Sequence, residues 1–251
     1  MTQRWQKLIR SLHLKKYRQE EKLFIVEGEK SLLELLQTDW HIEGIFYSEA
    51  FFKKHHAVLQ KHKTVMQEVC KVSQIEQVST LQTNEAGIAV VRMPYWRPPE
   101  TITSPLTLVL DELKDPGNLG TIVRIADWYG IRHVVCSEQT TDFFSPKVIT
   151  ATMGSFTRVE VFYLDIVDFL KKLDRKNLSV WGSFTDGTSI YQAAPVKNVL
   201  LVIGSESHGI RQEVAQWLDM KIAIPRYGKA ESLNAAVACG IMCDRLATAF
   251  R

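Results

Sequence analysis

Three short stretches hold the residue types that could do chemistry: "DPGNLGTIVR" (115–124), "GSESHG" (204–209) and "PRYGKAESLN" (225–234). The first sets glycines ahead of a helix, as a phosphate-cradling loop does. Such a loop needs GxGxxG, or GxxxxGK followed by Ser or Thr, so that the backbone can approach a pyrophosphate. Neither spacing occurs, and no lysine follows the last glycine. A plain turn into a helix explains Pro116 and Gly117 but leaves Asn118 and Arg124 unused. An arginine among Ile122, Ile125 and Ala126 must find an anion, fill a cavity or reach out to water. In the second stretch Gly204 closes a strand and Glu206 and His208 follow; Glu206 fits a solvated turn as well as a polar site, and His208 reads as a surface residue. In the third, Ser232 is a candidate N-cap. The helix after it carries Ala235, Ala236, Ala238 and Gly240, which admit a closely packed neighbour. A serine hydrolase would need a GxSxG elbow, which is absent. Cys239 and Cys243, one turn apart, would make half a metal site; no His or Cys cluster completes it, so they read as core-filling residues and no metal is expected.

The elements that must position these stretches are legible as apolar runs. "LTLVLDEL", "HVVCSEQ", "SVWGSFT", "NVLLVIGSE" and "MKIAIPRYG" are apolar on both faces and trailed by helix-like sequence, the pattern of a parallel sheet covered on both sides. Ligands of such α/β sheets bind beyond the carboxyl ends of the strands, where the three stretches lie. Upstream, "LFIVEG", "IEGIFYS" and "GIAVVRM" alternate with the helical runs "EKSLLELLQ" and "VSQIEQVSTLQ", a small α/β domain. "MPYWRPPETITSPL" carries four prolines and no apolar periodicity and reads as a linker. The expected division is 1–93, a linker at 94–105, and 106–251.

With 45% hydrophobic and 24% charged residues, the chain has the composition of a globular protein. A net charge of +3 means that a nucleic-acid partner must be met by a local patch rather than by bulk charge. The first 22 residues supply one: Arg4, Lys7, Arg10, Lys15, Lys16, Arg18 and Lys22 against Glu20 and Glu21. Lys15, Lys16 and Arg18, with Arg226 in the third stretch, are candidate contacts to nucleic-acid phosphates; a solvated amphipathic face is the alternative. The N-terminus is too charged for a signal peptide and no apolar run reaches membrane-spanning length, so a cytoplasmic protein with reduced thiols is expected, with no membrane partner.

Together and in this order, "LDELKDPGNLGTIVRIADWYGI", "LLVIGSESHGI" and "IAIPRYGKAESLNAAVACGI" resemble the three motifs of the SpoU, or TrmH-type, RNA 2′-O-methyltransferases of the SPOUT class. "KLIRSLHLKKYRQEEKLFIVEGEKSLLELL" is similar to the opening of the L30e-like RNA substrate-binding domain often fused ahead of that enzyme. The resemblance implies S-adenosylmethionine as cofactor, a C-terminal trefoil knot that forms its pocket, and a homodimer packed through the first and last helices of the catalytic domain. It assigns Asn118, Arg124, Glu206, Ser232 and Asn234 to catalysis, and Gly204, Ile224 and Leu233 to backbone contacts with the cofactor's adenosine. Where the family often has Met after Ile-Pro, this chain has Arg226 and then Tyr227. The separate N-terminal domain favours ribosomal RNA of the 23S type. A transfer-RNA methyltransferase, an inactive RNA-binding assembly factor of the same fold, and a Rossmann-type small-molecule enzyme are the rival readings, the last disfavoured by the missing glycine fingerprint.

Overall fold

The computed structural model describes residues 1–194 and 198–249. The chain forms two compact units: Met1–Tyr95 together with Asp142–Thr157, and Trp96–Thr141 together with the chain from Arg158 onward.

The first unit contains α1 (Gln3–Ser11), α2 (Lys15–Glu21), β1 (Leu23–Glu27), α3 (Glu29–Leu35), β2 (Ile42–Tyr47), α4 (Glu49–Leu59), β3 (Met66–Val69), α5 (Val72–Glu76) and β4 (Gly87–Arg92). Its sheet runs β1-β4-β2-β3, with β4 antiparallel to both neighbours and β3 parallel to β2. The charged N-terminal segment is amphipathic: Ile9 and Leu12 are fully buried with Ile25, Phe46 and Ile88, while Arg4, Lys7, Arg10, Lys15 and Lys16 stay exposed. The helix expected over "VSQIEQVSTLQ" stops at Glu76. The buried Glu27 carboxylate accepts hydrogen bonds from the hydroxyls of Ser79 and Thr80 and from the Thr80 N–H, and so fixes a turn where the helix would have continued.

The second unit opens with β5 (Leu106–Leu110), α6 (Pro116–Trp128) and β6 (His133–Ser137). At Asp142 the chain enters the stretch that belongs to the first unit, including α7 (Pro146–Ala151). It resumes as β7 (Glu160–Leu164), α8 (Ile166–Lys172), β8 (Leu178–Phe184), β9 (Thr188–Ser189), β10 (Asn198–Ile203), α9 (Gln212–Ala215), β11 (Met220–Ala223) and α10 (Ala235–Ala249). The two units therefore differ from the expected linear division by the return of Asp142–Thr157. All pairings in the seven-stranded sheet β7-β6-β5-β10-β8-β11-β9 are parallel. The adjacent strands β5 and β10 are buried along their whole length, as their unbroken apolar runs require. Contrary to expectation, no helix follows β8, which leads into the short β9.

No helix among the described residues is long and apolar enough to cross a membrane.

Candidate active site

The Asp-Pro-Gly-Asn sequence is the capped start of α6. Asp115 is the N-cap, its Oδ1 accepting the Asn118 N–H at 2.7 Å, and Pro116 occupies the first turn, where its missing N–H costs nothing. A side chain at 117 would place Cβ 3.0 Å from that capping oxygen, so glycine keeps the cap unobstructed. Asn118 is thereby held in the first turn, with its amide free to reach other loops.

It reaches both. Asn118 Nδ2 donates to Glu206 Oε1 at 2.7 Å, and Asn118 Oδ1 accepts from Asn234 Nδ2 at 2.8 Å. The two ends determine the direction of this chain. Glu206 as a carboxylate only accepts, while Asn234 Oδ1 is taken by the N–H groups of Ala236 and Val237 at 3.0 and 3.2 Å. Asn234, not Ser232, is therefore the N-cap of α10. Ser232 lies two residues too early to reach the first free N–H groups; it faces the cavity instead.

That cavity, about 790 Å³, opens at the carboxyl ends of β8, β10 and β11. Gly204, Glu206, Ile224, Arg226, Ser232, Leu233 and Asn234 all line it, with Phe184, Ile210 and Met242 supplying apolar wall. Gly204 is obligatory, because a Cβ there would come 2.2 Å from the Gly209 carbonyl carbon. The chain doubles back at that point in a turn closed by reciprocal Ser205–Gly209 hydrogen bonds of 3.0 Å. Among the described residues no backbone–backbone hydrogen bond involves 225–233, so this wall offers open amides and carbonyls beside apolar surface. An adenosine-bearing cofactor fits such a site: a neutral purine needs an apolar slot and fixed backbone donors and acceptors.

One tie was missed from sequence. Asp111, wholly buried at the end of β5, accepts the Arg211 N–H at 2.9 Å, its Nε–H at 2.9 Å and its Nη2–H at 2.8 Å. The pair binds the loop that carries Asn118 to the loop that carries Glu206. A carboxylate directly after an apolar strand was the available signal.

Arg124 stands apart. It is exposed on α6, it is not among the residues lining the cavity, and no described residue hydrogen-bonds or ion-pairs with it. Trp128, one turn further on, is 84% exposed. This helix packs on α10, where a side chain at Gly240 would come within 3.4 Å of Ile125 and where Tyr129 donates to Asp244. Burial and that carboxylate raise the Tyr129 hydroxyl above its ordinary range. The thiols of Cys239 and Cys243 are buried 3.8 Å apart in α10, and contact with Cys243 together with burial pushes the Cys239 thiol up from its ordinary range.

Of the expected RNA contacts, Lys15, Lys16 and Arg226 are exposed, and Arg18 is a correction. It is 2% exposed, donates from Nε and Nη2 to Asp142, and gives Nη1 to the Leu12 and His13 carbonyls. A guanidinium so occupied is a structural anchor with no reach to a phosphate.

Comparison with known proteins gives two family matches along the chain. Residues 105–244 match the SpoU rRNA Methylase family, and residues 6–89 match an MRM3-like substrate binding domain. The chain is 29% identical over 238 residues, covering 94% of it and 93% of the relative, to the 23S rRNA (guanosine(2553)-2′-O)-methyltransferase RlmP of Bacillus subtilis. It is 36% identical to a solved TrmH-family chain from Porphyromonas gingivalis, with TM-score 0.84 and 98% of each chain covered. An AdoMet-bound rRNA methyltransferase from Sinorhizobium meliloti superimposes with TM-score 0.85 at 29% identity, covering 98% of this chain and 95% of that one.

Proposed function

The chain belongs to the SpoU rRNA Methylase family, and from that premise we propose that it methylates a ribose 2′-hydroxyl of 23S-type ribosomal RNA, using S-adenosylmethionine. The observation that carries the reading is the Asn234–Asn118–Glu206 chain, which joins all three loops at the wall of a cavity fit for the cofactor.

The cofactor, when bound, supplies a methyl group on a sulfonium, already a good leaving group. The protein's share is alignment and charge stabilisation. Backbone groups of Gly204, Ile224 and Leu233 hold the adenosine. Asn118, Glu206, Ser232 and Asn234 form the polar face that orients the ribose. Arg124 acts as an electrostatic clamp on the developing alkoxide or a neighbouring phosphate, since a guanidinium hardly deprotonates in proteins. Lys15, Lys16 and Arg226 contact the RNA backbone. The chain works in the cytoplasm, and its class's trefoil knot involves the segments from β10 to α10.

We also propose that the enzyme is a homodimer joined through α6 and α10, so that Arg124 serves the cavity of the partner subunit. The exposed, unpaired Arg124 and the neighbouring exposed Trp128 support this. The experiment is complementation, read as methyl transfer to 23S RNA. Arg124→Ala is mixed with Thr185→Trp, whose exposed side chain lines the cavity and would fill it. Each variant alone is inactive. Random mixing restores about a quarter of wild-type activity, because half the dimers are mixed and each has one complete site. No recovery, with subunit exchange verified by mass spectrometry, contradicts the composite site.

A further inference from the structure

Nothing assigned above removes the hydroxyl proton: a guanidinium is a poor proton acceptor in proteins, and Glu206 Oε1 is engaged by Asn118. We propose that His208 is the catalytic residue that accepts this proton, held for the task by a chain of two serines. The proposal rests on the methyl-transfer reading of the same cavity.

His208 lines the cavity with Glu206, two residues away on the tight Ser205–Gly209 turn. Its Nδ1 lies 2.8 Å from Ser207 Oγ, which lies 3.0 Å from Ser205 Oγ. Ser205 is buried, and its Oγ also accepts the Ser207 N–H at 3.2 Å. In the proposed arrangement Nδ1–H donates to Ser207 and the Ser207 hydroxyl donates to Ser205, which anchors the imidazole at one nitrogen. The lone pair is then on Nε2. A base fixed by a hydrogen bond at its far nitrogen is the arrangement that makes imidazole useful in acyl transfer.

The charged and titratable groups sharing the cavity wall are Glu206 on the same turn and Arg226, Tyr227 and Glu231 on the 225–234 segment. Arg211, just past the turn, is neutralised by Asp111. Of these side-chain types, imidazole is the one that ordinarily exchanges a proton near neutral pH. In the step, the hydroxyl O–H bond breaks and its proton passes to Nε2. The oxygen's electron pair forms the new C–O bond to the methyl carbon, and the C–S pair stays with sulfur as the thioether leaves. The imidazolium then releases its proton to water.

Two measurements test this. Nitrogen-15 correlation spectra of the protein without cofactor or RNA should show neutral His208 as the Nδ1–H tautomer, and Ser207→Ala should abolish that preference. An Nε2–H tautomer in the wild type overturns the proposal. Single-turnover methyl transfer to 23S RNA from cells lacking the gene should then rise with pH along an acid limb. His208→Gln should lower the rate by about 10²- to 10⁴-fold, remove the limb, leave S-adenosylmethionine affinity unchanged by calorimetry, and respond to added imidazole. A His208→Gln enzyme that keeps the wild-type rate or the limb overturns the proposal alone. A wild type that binds cofactor but transfers no methyl overturns the functional reading, and this proposal with it.

Discussion

Asn234 has two duties at atomic distance, and they can be separated. Its Oδ1 caps α10 and its Nδ2 feeds Asn118. Asn234→Ala loses both, so stability should fall by about 1 kcal/mol together with turnover. Asn234→Asp keeps a capping oxygen but sets a second carboxylate against Asn118. The one amide nitrogen of Asn118 cannot then serve both Glu206 and residue 234, whichever way it turns. We expect thermal denaturation near wild type for Asn234→Asp with a large loss of single-turnover rate; equal rates for the two proteins would contradict the relay. These residues were legible only through their likeness to the family's motifs. Residue chemistry alone left Glu206 open between a solvated turn and a polar site, and offered Ser232 as the candidate cap. Asn234 competes for that role with a side chain that is equally short and polar, and only the backbone path decides between them. Arg18 misled for a physical reason: in a run of exposed cations, nothing local reveals which one meets Asp142, 124 residues later.

The loops of the candidate site are fastened at element ends. Asp111 closes β5 and Arg211 precedes α9, so their ion pair sets the spacing between the loops of Asn118 and Glu206. Arg211→Met strands a buried carboxylate and should cost about 3 kcal/mol, the lower end for a broken buried pair because Arg211 is partly exposed. The double variant Asp111→Leu with Arg211→Met removes the stranded charge and should regain much of that stability. Its turnover should stay low, since the loops are no longer tied. Chemical denaturation and single-turnover kinetics read the two effects separately, and a double variant with wild-type turnover would deny the pair a positioning role. The parallel strands were readable because burial on both faces demands unbroken apolar runs. The early end of α5 was not, because the carboxylate that stops it, Glu27, comes from a distant strand.

At the scale of the molecule, the excursion Asp142–Thr157 was invisible in sequence, for its apolar residues look like ordinary sheet-covering helix. In the first unit Phe144 lies 4.9 Å from the Phe24 ring and Phe156 lies 5.8 Å from Trp40, while Asp142 holds Arg18. A chain beginning at Trp96 loses those partners and uncovers Phe143, Phe144 and Phe156, each worth roughly 1.5–3 kcal/mol of burial. We expect it to aggregate, and Phe144→Ser with Phe156→Ser to restore a soluble chain; a monodisperse, equally stable 96–251 chain without those changes would contradict this. Under the proposed function the two units divide the labour, with the exposed N-terminal cations on the first for RNA and the cavity on the second for methyl transfer. The most direct test of that assignment is a ribose-methylation map of ribosomal RNA from cells with and without the gene. One 2′-O-methyl site in 23S-type RNA should vanish on deletion, returning with the wild-type gene and not with Asn118→Ala. A map identical in both strains would contradict the account.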